Sequence, residues 1–542
     1  MIRVDFFKWL NSIYMETKQI LIYDTTLRDG TQGEQINLSA EDKLRIALKL
    51  DDFGFHYIEG GWPAANPKDK RFFKMASREN FINAKLVAFG RTRQAGVKAC
   101  DDPNICGILE SGVKAAAIFG KSWDMHISDV LGVSPDEYLD IIADTISFLK
   151  DKNFEVIFDA EHFFDGYIHN PSYAIKTVEA AVQAGADKVI LCDTKGGTLP
   201  HEIFRIVSEA IPVIKAATGI HTHNDCGLAL ANTISAVQAG AAIVQGTVNG
   251  YGERCGNLDL ISALGVFQLK MGIKCVQPEQ LKKLLELSRF VSGIANAPSY
   301  SNQPFVGKSA FCHKGGVHVD AIRKGPHSYE HIDPGAVGNS RRILISDYAG
   351  KSAVEYKSRE LGISLNKNAE TSRHLIKEIK RLEDEGYHFD SAEGSLSVLI
   401  KKMTGQLDIP FELDSFRVYT EKDKAGSSSC HAIIKIIVGK DTEITAAEGE
   451  GPVNALDNAL RKAIVKFYPD IQDMKLIDFK VRVIEGAAGT AAKVRVIIES
   501  RDDQEMWSTI GVSENILEAG WQALIDSIYY KLGKTLNGKN KK

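Results

Sequence analysis

A chain of 542 residues with 44% hydrophobic and 25% charged side chains has the composition of a globular protein, and its length points to more than one domain. The formal net charge of −4 supplies no basic field for nucleic acid, and no apolar stretch approaches the ~20 residues needed to span a bilayer. Eight scattered cysteines without a CxxC pair read as reduced cytoplasmic thiols, and the N-terminus lacks the apolar core and cleavage site of a signal peptide. Residues 1–14, upstream of Met15, read as an extension or an early start-site assignment.

In chain order, short β-rich runs alternate with amphipathic helical stretches from Ile20 to about Gly272. The runs are "ILIYD" (20–24), "FHYIEGG" (55–61), "AKLVAFG" (84–90), "KAAAIFG" (114–120), "FEVIFDAE" (154–161), "DKVILCDT" (187–194), "GIHTHND" (219–225) and "AAIVQGTVNG" (241–250). In "SAEDKLRIALKLDDFG" (39–54), Ser39 and Asp42 form an N-cap region and Gly54 a stop. "SPDEYLDIIADTISFLKDK" (134–152) opens with Ser134 as cap and Pro135 at the first helical position. Eight strands, each followed by a helix, predict a (β/α)8 TIM barrel, expected over residues 16–290. No GxGxxG turn follows the first strand, which argues against a doubly wound sheet.

Beyond the barrel, residues 296–334 are rich in Gly, Pro, Ser and His and read as a functional loop or linker, and 338–402 read as helical and polar. Together they predict linker subdomains over 291–404. The remainder, 405–536, holds an internal repeat. "AIIKIIV" (432–438) matches "AKVRVII" (492–498), and "NALDNALRKAIVKFY" (454–468) matches "NILEAGWQALIDSIY" (515–529), aligning Tyr468 with Tyr529. Two such α+β units, which usually pair about a pseudo-twofold axis, carry no catalytic cluster and predict a regulatory or dimerising domain.

Chemistry in a barrel gathers at the C-terminal ends of its strands. Those ends carry Asp24, Arg28 and Asp29, then Glu59, Arg91, Ser122, Glu161, Asp193 and Thr194, then His221, His223, Asn224 and Asp225, then Asn249, Glu253, Arg254 and Asn257. His221 and His223 sit two apart, on one side of a strand. Asp29, an oxygen ligand, ends a strand two places away around the ring. An isolated H-x-H also describes solvated loop histidines; the added carboxylate favours a metal, and mixed N/O ligands suit Zn, Mn or Co without choosing among them. In "NGYGERCGN" (249–257) the glycines free the backbone and leave Glu253, Arg254 and Asn257 exposed, or else Asn257 caps a helix. Arg28 beside Asp29 is either a structural ion pair or a guanidinium for a carboxylate or enolate oxygen.

"DTTLRDGTQG", "HTHND", "NGYGERCGN" and "GGVHVDAI", in that order, resemble the acetyl-CoA-dependent 2-oxoacid aldol–Claisen condensing enzymes, a family that includes 2-isopropylmalate, homocitrate and citramalate synthases. The likeness covers nearly the whole chain, and "FDAEHFFDGY" is most similar to the citramalate branch. The resemblance implies Asp29, His221, His223 and Asn257 as ligands of a divalent metal (Mn, Mg, Zn or Co). It implies Arg28 and Thr194 as contacts of the 2-oxoacid, and Glu161 as a catalytic carboxylate. His318 is similar to a linker histidine that reaches the site in the partner subunit, with Tyr329 beside it.

The required chemistry agrees with those roles. A proton must leave the methyl group of acetyl-CoA, the co-substrate; the enolate must add to a ketone, and thioester hydrolysis then makes the sequence irreversible. His318 and Glu161 are candidate bases near neutral pH, and a Lewis acid on the ketone oxygen lowers the second barrier. No cysteine lies in a nucleophile motif, so no covalent protein intermediate is expected.

Pyruvate needs a small apolar pocket, 2-oxoisovalerate a wider one and 2-oxoglutarate a second cation, for which Arg91 and Arg93 stand available. The branch resemblance implies pyruvate, (R)-citramalate as product and isoleucine biosynthesis, with 2-isopropylmalate or homocitrate synthesis as the alternatives. It further implies a cytoplasmic homodimer that binds neither nucleic acid nor membrane. Isoleucine is expected as effector at the seam of the repeat, near the glycines of "EGEG" (448–451) and Gly511, with truncation after about Lys402 removing its effect. A lyase or carboxyltransferase on the same barrel is the rival. His318 and the C-terminal repeat favour the synthase, and no counterpart of a carbamylated metal-bridging lysine is found. A metabolite-binding regulator that has lost activity would not need the intact set Arg28, Asp29, Glu161, His221, His223 and His318.

Overall fold

The computed structural model describes residues 19–345, 350–363, 369–407, 409–422, 424, 426–484 and 492–539; residues 1–14 lie outside them. The chain forms two compact units, one running to Phe311 and including Ile332–Ser340, the other comprising Cys312–His331 and the chain from Arg341 onward. No helix among the described residues is long and apolar enough to cross a membrane.

The first unit is a closed barrel of eight parallel strands in sequence order. They are β1 Leu21–Asp24, β2 Tyr57–Gly61, β3 Lys85–Arg91, β4 Ala115–Lys121, β5 Glu155–Glu161, β6 Lys188–Asp193, β7 Ala217–Thr222 and β8 Ile243–Gly246. Helices α1 Ala40–Phe53, α2 Pro67–Ala76, α3 Pro103–Glu110, α4 Pro135–Asp151, α5 Pro171–Gln183, α6 Pro200–Ala210, α7 Ala229–Gln238 and α8 Leu260–Leu269 follow the strands in turn. Strands covered on both faces must be apolar throughout. Tyr23, Tyr57, Val87, Ala117, Ile157 and Ile190 fill the interior, while Ile22, Ile58, Phe158, Val189 and Val244 face the helices.

Local signals set the helix ends. The Ser39 hydroxyl accepts from the Asp42 N–H while the Asp42 carboxylate accepts from the Ser39 N–H, both at 3.1 Å, and Gly54 ends α1 in the left-handed region at φ 94°. Ser134 caps α4, with Pro135 in its first turn. β8 is shorter than the predicted run, because the chain leaves the sheet after Gly246 and turns through Asn249 at φ 63°. β7 stops at Thr222, so His223 lies just past the strand, in a bridge with Asn257.

The second unit begins with a short parallel pair, β9 Cys312–His313 and β10 Arg342–Ile343. It continues with α9 Gly316–Lys324, α10 Lys351–Glu360, α11 Ala369–Asp384 and α12 Glu393–Met403. Val319, Val354, Leu375, Ile379, Leu396 and Ile400 form one core there. The internal repeat is two antiparallel sheets. One is β11 Glu412–Lys422, β12 Ser428–Val438 and β13 Asp441–Gly449; the other is β14 Lys475–Val483, β15 Val494–Arg501 and β16 Met506–Ser513. α13 Pro452–Ile464 backs the first and α14 Ile516–Lys539 the second. The aligned tyrosines are equivalent in contact as well: Tyr468 and Tyr529 donate their hydroxyls to the adjacent carbonyls of Pro410 (2.7 Å) and Phe411 (2.8 Å). Gly449 and Gly511, each on the last strand of its sheet, are both tightly packed. A Cβ at either would strike the backbone at the start of the following helix, at Ala455 or Ala519, so close packing accounts for both.

α12 departs from the polar helical reading of 338–402. Leu396 and Ile400 enter the core just described, Val398 enters the repeat core beside Phe411 and Tyr529, and Ser395 Oγ accepts from the buried Ile510 N–H at 2.9 Å. A helix packed on both sides keeps few polar positions, and small ones (Gly394, Ser395, Ser397) where neighbours approach closely.

Candidate active site

The motif after β1 divides into scaffold and site. Asp24, fully buried, accepts from the Thr26 hydroxyl (2.6 Å) and N–H (3.0 Å), and Thr26 Oγ1 in turn accepts from the Val248 N–H at 2.8 Å. Thr25 Oγ1 donates to the Gly246 carbonyl at 3.1 Å. These bonds tie the ends of β1 and β8 together. The tight turn that follows, with the Arg28 and Gly30 N–H groups both donating to the Thr25 carbonyl, carries Arg28 and Asp29 to the barrel mouth.

There Asp29, His221 and His223 converge, each at most 6% exposed, with one ligand atom from each within 4.8 Å of the others. His221 Nε2 lies 3.3 Å from His223 Nε2 and 3.6 Å from Asp29 Oδ2. Burial opposes the charge on Asp29, but Arg28, His221, His223 and the Asn257 amide outweigh it and hold its pKa down to about 2. Burial lowers both histidines, His223 to about 3 with the neighbouring imidazole adding to the effect. Two neutral imidazoles face an ionised carboxylate, the protonation states a cation requires. Asn257 donates Nδ2 to Asp29 Oδ1 at 3.0 Å, while its buried Oδ1 has no hydrogen-bond partner. This donor set fits a divalent cation with mixed N/O ligands.

Beside the cluster, the Arg28 guanidinium is held on three sides: Nε to Glu59 (2.5 Å), Nη1 to Asp29 (3.0 Å), and its plane over the Phe89 ring at 3.8 Å. Glu59 is wholly buried and also accepts the Tyr23 hydroxyl at 2.7 Å. A cavity of about 230 Å³ opens here, lined by Arg28, Trp62, Phe89, Phe119, Glu161 and Thr194 together with the cluster. Trp62, Phe89 and Phe119 pack mutually at 5.2–5.7 Å between ring centroids. Lys121 Nζ lies 2.5 Å from the Glu161 carboxylate, and Thr194 Oγ1 accepts from the His162 N–H at 2.9 Å.

Arg28, Asp29, Glu161, Thr194, His221 and His223 thus share one cavity, and Asn257 touches it through Asp29. Asn257 is 2% exposed, against the expectation of an exposed loop side chain, and the α8 cap is Asp259 instead, because the Gly-rich loop folds Asn257 inward. Arg91 and Arg93 pair with Asp102 and Asp144. His318, on α9, and Tyr329 belong to the second unit, both exposed, their rings stacked at 4.1 Å. Sequence reasoning gave Glu59 no role and passed over Tyr23, Asp159 and Gln245. A charged or amide side chain inside an apolar barrel strand is the available sign, since burying it is costly without partners.

The HMGL-like family matches residues 19–291, the homocitrate synthase post-HMGL domain-like family 305–387 and the LeuA allosteric (dimerisation) domain 390–532. The (R)-citramalate synthase of Aquifex aeolicus is 51% identical over 519 residues, covering 95% of this chain and 98% of its own. That of Geobacter sulfurreducens is 49% identical over 517 residues, with the same coverage of 95% and 98%. A 2-isopropylmalate synthase of Methanocaldococcus jannaschii is 31% identical over 525 residues, 95% of each chain. An HMGL-like barrel with its cluster at the mouth, followed by a LeuA-type domain and matched to these relatives along nearly its whole length, belongs to the (R)-citramalate synthase family.

Proposed function

We propose that the enzyme condenses acetyl-CoA with pyruvate to give (R)-citramalate and CoA, in the route to isoleucine. The observation that carries this reading is the convergence of two imidazole Nε2 atoms and a carboxylate beside an anchored guanidinium in one small cavity. A divalent cation on Asp29, His221, His223 and Asn257 would supply Lewis acidity at the ketone oxygen. Arg28, fixed by Glu59 and Asp29, takes the 2-oxoacid carboxylate, and Thr194 offers its hydroxyl to the same substrate. Glu161 and the partner subunit's His318 carry the protons, one leaving the acetyl methyl group and one reaching the new alkoxide; Tyr329, stacked on His318, orients it. Water then cleaves the thioester and releases CoA.

Pyruvate is favoured over larger oxoacids by the wall of Trp62, Phe89 and Phe119, and over 2-oxoglutarate by the pairing of Arg91 and Arg93 with their own carboxylates. We divide the chain into a catalytic barrel (16–290), linker subdomains (291–404) and a regulatory, dimerising domain (405–536). The homodimer is supported by exposed apolar side chains on the repeat sheets, among them Ile444, Val481 and Val483. For isoleucine the second unit offers a cavity of about 1030 Å³ lined by Gly451, Arg461, Lys475, Phe479 and Ile516.

The test is kcat/KM for pyruvate, 2-oxoisovalerate and 2-oxoglutarate with acetyl-CoA, read by thiol release. Pyruvate is expected to lead by at least about tenfold, since one methylene in an apolar pocket is worth ~1–3 kcal/mol. Chelator should abolish turnover and a divalent metal restore it, and His221→Ala should lose at least about 100-fold. Full activity in metal-free protein, or preference for a larger oxoacid, refutes the reading.

A further inference from the structure

Gln245 has no part in the reaction just proposed, yet it lies on β8 inside the barrel, 1% exposed, bonded to a proposed cation ligand. Its Oε1 is 2.9 Å from His221 Nδ1 and its Nε2 is 3.2 Å from Asp159 Oδ1. An amide nitrogen only donates, and a carboxyl oxygen accepts whether the group is ionised or carries its proton on the other oxygen. With Nε2 given to Asp159, the amide presents its other end to His221. Its oxygen, turned to His221, takes a hydrogen bond only from a protonated Nδ1. A neutral imidazole protonated at Nδ1 keeps its lone pair on Nε2, the atom that faces His223 Nε2 at 3.3 Å and Asp29 Oδ2 at 3.6 Å. His223 differs: its Nδ1 is buried with no hydrogen-bond partner.

We infer that Gln245 is a positioning residue: through the chain Asp159–Gln245–His221 it selects the Nδ1-protonated tautomer of His221 and so sets the affinity of the barrel mouth for a divalent cation. The inference rests on the reading of Asp29, His221 and His223 as a cation site. Its test is a Co2+ titration of the metal-free full-length protein, followed by the visible absorption of bound Co2+, with the thermal midpoint of the metal-free protein measured alongside. Gln245→Met removes the acceptor at nearly constant volume, and it should weaken Co2+ binding about 10–100-fold. Should that variant not fold, Gln245→Asn, a methylene too short to reach His221, takes its place with the same expected loss. The double variant Gln245→Glu with Asp159→Asn rebuilds both hydrogen bonds, and it should return affinity to within about threefold and recover the parent absorption band. Parent-like affinity in the single variant, or a double variant that binds no better than the single one, overturns the inference. A parent that shows no Co2+ band overturns the cation site itself, and is recognised because no variant is then needed.

Discussion

Asp24 shows how much of a conspicuous motif is scaffold. Burial pushes its pKa up to about 7, against the bonds from Thr26. The unfolded value is about 3.9. The folded protein therefore holds this proton more tightly, and the stabilisation is complete below about pH 4 and is lost as pH rises through about 7. Asp24→Asn cannot ionise, so its stability relative to the parent should rise between pH 5 and 8, on the order of 2 kcal/mol. Urea midpoints at the two pH values, with chelator present, check this; a constant difference contradicts it. At the same scale, the legible site residues were those placed by local pattern. His221 lies at the end of β7, His223 just past it, and Arg28 and Asp29 on the turn after β1, where an apolar run breaks into charge. Asp159 and Gln245 were opaque, and Glu59, read at a strand end, was given no role, because each is a polar residue within a strand. Its meaning depends on which partners a closed ring brings opposite it: Arg28 for Glu59, and His221 for Gln245.

Among elements, the loop from β8 to α8 most directly controls the cluster. Gly252 adopts φ +151°, and a Cβ there would fall on the Asn257 amide nitrogen that binds Asp29. Gly252→Ala should therefore push Asn257 off Asp29. A misplacement of about 1 Å in a catalytic site can cost about 100-fold in rate, and a loss of that order in kcat/KM is expected with the barrel still folded by circular dichroism. Activity equal to the parent would mean the loop absorbs the shift. Helix limits were readable where caps are local, as at Ser39, Gly54 and Ser134. The inward fold of Asn257 and the two-sided burial of α12 were not, because both depend on what lies across the chain rather than on neighbours in sequence.

At the scale of the whole molecule, regulation and architecture cannot be separated by a simple cut. Truncation after Lys402 would strip α12 of the partners of Val398 and of the bond from Ile510 to Ser395, so lost sensitivity would be confounded with a damaged linker core. A substitution that fills the cavity is cleaner. Isoleucine at millimolar concentration should inhibit the full chain, and Ile516→Trp, at the cavity wall, should raise the half-inhibitory concentration at least about fivefold, the lower end of usual coupling energies. Inhibition unchanged by the variant would remove this cavity as the effector site. The barrel was legible because its alternation is periodic, and the repeat because it is written twice; the shared helix between linker and repeat is neither.

That shared helix has a consequence for how the second unit opens. Leu396 and Ile400 of α12 serve the core that contains Val319, one residue from His318, while Val398 serves the core of the repeat. Neither core can come apart without exposing α12 to water. Their backbone amides should then exchange hydrogen for deuterium through a common opening, with similar protection in α9 and in the central strand β12. An amino acid that tightens the repeat would slow exchange in the His318 helix as well, and mass spectrometry of the two peptides, with and without isoleucine, would read that shared protection directly.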